Sequence, residues 1–147
     1  MLKEPISKLV DREAYLKVPL HRERLRFETI GLEESIREFI WLIMTTRTGS
    51  YRFDPEFGCH IWDQEFQYLK RGRFKEDIQK AIQEAVEKYE TRMKNVRVDI
   101  TVSGFEEEAS SKRVVEIFVK GIIKSSGRNF EGNFEIDWDR GRKHSSP

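Results

Sequence analysis

Asp54, Glu56, Asp63 and Glu65 crowd one stretch of the chain. Two carboxyl groups flanking a cleft, roughly 5–10 Å apart, are what glycoside hydrolysis requires, so a glycosidase would be sought here. The chain carries 26 acidic residues, however, and neighbouring pairs arise by chance at that density. Asp54 and Glu56 also straddle Pro55, and an aspartate in that setting is a common turn former. Adjacent Cys59 and His60 invite metal or thiol chemistry. A structural zinc takes four ligands, against one cysteine and three scattered histidines here, His21, His60 and His144. A small buried residue beside a surface imidazole is the simpler reading. No Ser/His/Asp arrangement and no glycine-rich phosphate loop stands out. The sequence therefore nominates no catalytic residue, no metal and no cofactor. The basic run Lys70-Arg71-Gly72-Arg73-Phe74-Lys75 could meet nucleic-acid phosphates. A formal net charge of +1 gives no global attraction of that kind, and a solvated helix start or an acidic protein partner explains the run.

These residues sit in a chain of 147, long enough for one domain with one modest core. Charged residues make up 36%, apolar ones 37% and aromatics 12%, the composition of a globular protein with a heavily charged skin. The longest apolar cluster, Phe39 to Met44, is far short of the roughly 20 residues that span a bilayer. The opening Met1-Leu2-Lys3-Glu4-Pro5 lacks the apolar stretch of a secretory signal, and the single Cys59 excludes an internal disulfide framework. The expectation is a cytoplasmic protein with no membrane insertion.

Residues 1–28 are charged and interrupted by Pro5 and Pro19, and read as an extended or partly ordered arm. A helix is expected over 32–47, with Ile36, Phe39, Ile40, Ile43 and Met44 on one face, Glu33 and Glu34 in its first turn and Arg47 in its last. An aromatic-rich connector follows over 48–72, with a short helical turn expected at Asp63–Tyr68. A second helix covers 73–90 on the stripe Ile78, Ala81, Ile82, Ala85, Val86 and Tyr89. Three strands complete the domain. Val96, Val98, Ile100 and Val102 alternate along the first. The second, 113–124, is apolar on both faces, which suits a central strand whose second face a partner covers. Phe130, Phe134, Ile136 and Trp138 alternate along the third. The predicted fold is α+β, with two helices on one face of a three-stranded antiparallel meander with open outer edges (order α-α-β-β-β). The domain occupies 29–138, between the arm and a polar tail at 139–147.

Within this order, Leu32-Glu33-Glu34-Ser35-Ile36 leads a helix ending in Thr45-Thr46-Arg47-Thr48-Gly49-Ser50-Tyr51-Arg52. Asp54-Pro55-Glu56-Phe57-Gly58, an amphipathic helix, Glu90-Thr91-Arg92 and an alternating strand follow. Taken together, this run resembles the phage baseplate protein W family. That family has an older lysozyme-like label and includes the type VI secretion baseplate subunit TssE. The likeness covers roughly 30–138. One departure is visible: the family pattern has Glu-Pro-Arg where this chain has Glu90-Thr91-Arg92.

The resemblance implies structural work in a contractile injection system, type VI secretion or phage tail-like, and the general look of the sequence, with no decisive residue, favours type VI secretion. The partners it implies are other baseplate-wedge subunits and the contractile sheath protein, with no small-molecule substrate and no nucleic acid. A neighbour would add a strand to an open sheet edge. Glu90 and Arg92 are candidates for partner binding, either as an interface ion pair or as ordinary charges at a helix end. Trp41, off the main stripe of its helix, is a candidate aromatic anchor, and Phe118 and Ile122 form a candidate partner-binding face. Arg52 is expected to anchor the connector through Asp54, Glu56 or loop carbonyls. The alternatives are a peptidoglycan muramidase built on paired carboxylates and, behind it, a nucleic-acid-binding module.

Overall fold

The computed structural model describes residues 15–16, 29–63, 73–104 and 113–138. The chain divides into two compact units, Met1–Phe39 and Ile40–Pro147. In the first, strands β1 (Tyr15–Leu16) and β2 (Thr29–Ile30) pair antiparallel, Tyr15 opposite Ile30. Helix α1 (Leu32–Thr45) starts in this unit with Glu33 and Glu34 in its first turn. Arg37 reaches back to Glu33 at 3.7 Å, an i,i+4 pair.

The second unit holds the end of α1, a loop with a short 3-10 turn (His60–Trp62), helix α2 (Phe74–Tyr89) and strands β3 (Met93–Ser103), β4 (Val114–Ile123) and β5 (Asn129–Asp137). The strands form one antiparallel sheet in the order β3-β4-β5. The two helices and this meander are the α+β architecture that the periodicities predict. The apolar sides of α2 (Ile78, Ala81, Ile82, Ala85, Val86), β4 (Val115, Ile117, Val119, Ile123) and β5 (Phe130, Phe134, Ile136) are buried. Burial of such side chains, about 1.5–3 kcal/mol each, is the main force holding the unit together.

Three local differences from the sequence reading have physical causes. Helix α1 stops at Thr45, so Arg47 lies beyond it. The hydroxyls of Thr45 and Thr46 donate to the carbonyls of Trp41 and Leu42 at 2.7 and 2.6 Å, and such back-bonding favours leaving the helix. Arg47 instead approaches Asp63 at 3.8 Å. A short 3-10 turn that the sequence reading did not place forms at His60–Trp62, while the turn expected at 63–68 falls on residues of which 64–68 lie outside the described ones. Strand β3 begins before Val96 because a bulge hides its alternation. The register passes from Lys94 opposite Ile122 to Arg97 opposite Lys120, leaving Asn95 and Val96 to face Gly121. Asn95 takes the left-handed φ of 54°. A side chain on Gly121 would meet Met93 Cε at 2.7 Å and the Lys94 carbonyl at 3.3 Å. Glycine thus leaves room for the Met93 side chain against the bulge, which returns Met93 and Val96, three positions apart, to the same buried face.

Candidate assembly surface

Residue parity along the strands separates two faces. Phe130, Gly132, Phe134 and Ile136 of β5 point inward. A Cβ on Gly132 would meet the rings of Phe134 at 2.7 Å and Phe130 at 3.1 Å, so these two aromatics close over the glycine. The α1 side chain Trp41 stacks on Phe134 at 6.4 Å and 15°, with 43% of its surface exposed. The outer face carries Phe118, Ile122 and Val114 on β4, flanked by Asp99 on β3 and Asn133 and Glu135 on β5. Phe118 is 37% exposed at its centre. The structure thus groups Phe118 with Ile122 and puts Trp41 on the opposite, helix-bearing side of the sheet.

The two edges of the sheet are not equivalent. The amide of Trp138 donates to Arg113 and that of Ile123 to Arg128, at 3.0 and 2.9 Å. This phase fixes the antiparallel ladder, in which alternate residues exchange bonds with one neighbour. The even-numbered residues of β5 therefore bond to β4, and Asn133 and Glu135 turn their peptide groups outward. On β3 the even-numbered Val98, Ile100 and Val102 turn outward, and side chains from α2 take up the backbone of Val98. Gln79 Nε2 donates to the Val98 carbonyl at 2.7 Å, and the Val98 amide approaches Gln83 Oε1 at 3.4 Å. The expectation of two open edges is corrected accordingly: glutamines one helical turn apart occupy part of the β3 edge. Nothing in the sequence marked them, because a glutamine on a helix face is ordinarily solvated.

Glu90 and Arg92 link α2 to β3. Glu90 caps the helix with its amide donating to Val86 at 2.9 Å, and it is the buried charged residue of the described core, 1% exposed. Arg92 grips its carboxylate with two parallel bonds, Nε to Oε1 at 2.8 Å and Nη2 to Oε2 at 2.7 Å. The Arg92 amide adds a third bond to Oε1 at 3.1 Å. Bidentate, charge-assisted geometry of this kind is strong. The pair closes inside the chain, with Arg92 its partly exposed member. The Arg92 carbonyl accepts from the Lys124 amide at 2.9 Å, tying the junction to the turn after β4.

The connector is held differently from the sequence expectation. Arg52 makes no described bond to Asp54 or Glu56; its guanidinium lies over the Phe53 ring at 6.0 Å. The anchoring falls to Lys88 on α2, whose ammonium donates to Glu56 at 2.5 Å. That bond lowers the pKa of Glu56 and raises that of Lys88. Asp54 Oδ1 accepts the Glu56 amide at 3.1 Å, the turn-forming role expected of an aspartate before this proline. Asp63 accepts from Thr48 at 3.2 Å. The carboxylates considered for hydrolysis are thus engaged in holding the loop, and Glu65 lies outside the described residues. Cys59 is fully buried, its amide donating to Thr46 at 2.8 Å, and burial pushes its thiol up to about 12. Trp62 donates from Nε1 to Met44 at 2.7 Å and packs on Trp138 at 5.3 Å. Among the described residues no group of three or more His, Cys, Asp or Glu could hold a metal ion, and no helix is long and apolar enough to cross a membrane.

Comparison with known proteins places this arrangement. The family of the baseplate wedge protein gp25 matches residues 31–128, from α1 through the turn before β5. The baseplate wedge protein gp25 of Enterobacteria phage T4 is 38% identical over 72 residues, which are 49% of this chain and 53% of that protein. The match thus spans about half the length of that relative. A crystal structure of a candidate tail lysozyme from Geobacter sulfurreducens superposes with a TM-score of 0.54 at 25% identity, over 74% of this chain and 92% of that one. A chain of the type VI secretion baseplate complex shares the fold, with a TM-score of 0.51 at 21% identity over 73% of this chain and 98% of its own. The family match spans well over half of the chain, from helix α1 to the end of strand β4, and the chain belongs to the baseplate wedge protein gp25 family.

Proposed function

We propose that this chain is a non-enzymatic wedge subunit of a contractile baseplate, which joins other wedge proteins and presents its sheet for the start of the contractile sheath. The asymmetry of the sheet edges carries this reading. Helix α2 occupies the β3 edge at Val98, whereas β5 turns the peptide groups of Asn133 and Glu135 outward with no helix laid across them among the described residues. An incoming strand would pair there, with backbone bonds giving affinity and alternate side chains giving specificity. Phe118 and Ile122 on the outer face would then be covered by the body of the same partner.

The test is reconstitution of the full chain with wedge and sheath subunits from the same source. Glu135→Pro removes an outward amide and leaves the β4 ladder intact, so the variant should keep its thermal melt and lose sheath nucleation. Normal nucleation by a folded Glu135→Pro protein would move the platform elsewhere. A second reading, a peptidoglycan muramidase, is favoured by the name of the Geobacter protein. Its candidate pair is Asp54 and Glu56, one engaged in a turn and the other bound to Lys88. Peptidoglycan turnover abolished by Glu56→Gln in a folded protein would establish it and displace the assembly role.

A further inference from the structure

We infer that Tyr51, Arg52 and Phe53 form a preorganised docking knob that seats in an apolar pocket rimmed by carboxylates on a neighbouring wedge protein. The inference rests on the assembly reading above and identifies a contact separate from the β5 edge. Phe53 is 82% exposed and Tyr51 48%, the two most exposed large apolar residues described. Single exposed aromatics are ordinary, but these two touch. Their rings lie 5.8 Å apart, edge to face, and Tyr51 continues to Phe57 at 5.7 Å and Phe57 to Tyr89 of α2 at 5.0 Å. The chain of rings supports the tip from a helix. The backbone around it is pinned as well. The Gly49 amide donates to Pro55 at 2.7 Å, the Ser50 hydroxyl donates to Arg47, and Lys88 holds Glu56 at 2.5 Å. A tip already fixed loses little entropy on binding.

Arg52 identifies the partner. Its guanidinium rests on the Phe53 ring at 6.0 Å and meets no described carboxylate. No described bond joins it to its acidic neighbours: Asp54 accepts the Glu56 amide and Glu56 is paired with Lys88. A cation beside two exposed rings is complementary to an acidic rim around an apolar depression. Tyrosine and arginine are also the residue types that dominate interface energetics. One cation is a weak hold on an anionic bilayer or on nucleic acid, both of which are bound through clusters of charge. A protein pocket is therefore the occupant.

The experiment uses the full chain and the wedge subcomplex that lacks it. Wild type should bind, Phe53→Ala should bind about thirtyfold more weakly, as loss of a central anchor does, and Arg52→Glu should lose at least as much. Arg52→Lys should retain most of the affinity. Equal binding by wild type and Phe53→Ala overturns the knob and leaves the assembly reading standing; failure of wild type to bind overturns both. In cells producing the particle, p-benzoylphenylalanine in place of Phe53 should photocrosslink to a wedge-subunit peptide that carries Asp or Glu beside apolar residues. A crosslink to lipid or nucleic acid, or only to the chain itself, also overturns it.

Discussion

Removing the Arg92 side chain separates two roles for the Glu90–Arg92 pair. In the folded chain Glu90 is 1% exposed and receives three hydrogen bonds from Arg92, two of them from the guanidinium at 2.8 and 2.7 Å. Arg92→Ala leaves a buried carboxylate holding one backbone bond and no counter-charge. Breaking a buried pair from one side costs roughly 3–5 kcal/mol. Because Arg92 is partly exposed, water can enter the space it vacates, which puts the expected loss near the lower end, about 3 kcal/mol. Glu90→Gln is milder, about 1–2 kcal/mol, since the amide oxygen still accepts from the Arg92 backbone and the guanidinium can turn to solvent. The double variant should lose less than the sum, with a coupling of at least about 1 kcal/mol. Urea unfolding of the isolated chain measures all three. No partner is present in that assay, so a pair that acts only at an interface would leave the unfolding free energy unchanged. An Arg92→Ala loss below about 1 kcal/mol, or strict additivity, would refute the internal role derived from the geometry.

Gly58→Ala should destabilise by at least about 2 kcal/mol, because Gly58 has a φ of 113° and an added Cβ would collide with the Thr46 carbonyl, its carbon at 2.9 Å; a melting temperature within a degree of wild type would contradict this. Cys59, with its thiol pushed up to about 12 by burial, should react with iodoacetamide at pH 8 at least a hundredfold more slowly in the native chain than in urea; comparable rates would place it at the surface. The same shift has a pH consequence. The folded thiol keeps its proton above the ordinary value of 9.0 at which the unfolded one releases it, so this contribution to stability falls as pH rises from 9 towards 12, by at most about 1.4 kcal/mol per unit, and Cys59→Ala should flatten the decline. Glu56 is held below its ordinary value of 4.5 by Lys88. Its NMR titration midpoint should therefore rise in Lys88→Ala, and the pair's small stabilisation should be lost only as pH falls through the lowered value; an unmoved midpoint would mean that the two do not meet in solution.

The elements that burial dictates were legible because burial leaves a period in the sequence. The stripes of α2 and the alternation of β4 and β5 gave those elements to within a few residues, and the exposed Phe118 gave a face that the core does not use. What the sequence hid depends on where a side chain reaches once the chain has folded. Gln79 and Gln83 differ from any solvated helical pair only in facing Val98. Arg52 and Lys88 are equally suited by type to hold the connector, and only the placement of α2 beside Glu56 selects Lys88. Glu90 reads as a surface charge at a helix end until the fold buries it, and its need for a counter-charge then makes Arg92 part of the core. The bulge at Asn95 was invisible for a related reason: an inserted residue breaks the period-2 pattern that locates a strand.

The hidden contacts bear on assembly as a group, since they make the domain one-sided. A three-stranded sheet has two edges, and a subunit that offered both could be extended from either side, the route by which exposed sheets form open-ended aggregates. The Gln79 and Gln83 contacts at Val98, together with the bulge at Asn95, blunt β3. The β5 edge keeps its outward peptide groups, and its solvent-facing side chains, among them Glu131, Asn133 and Glu135, discourage pairing with a second copy of the same acidic edge. Like-charge repulsion between two β5 edges and a partly occupied β3 edge together disfavour self-extension of the sheet. Glu116 and Glu135 stand directly opposite each other across β4 and β5, a pairing that is unfavourable in the isolated chain and would be relieved by a lysine or arginine on the added strand. On the proposed assembly role, a basic incoming strand would fit this edge better than a second copy of the chain.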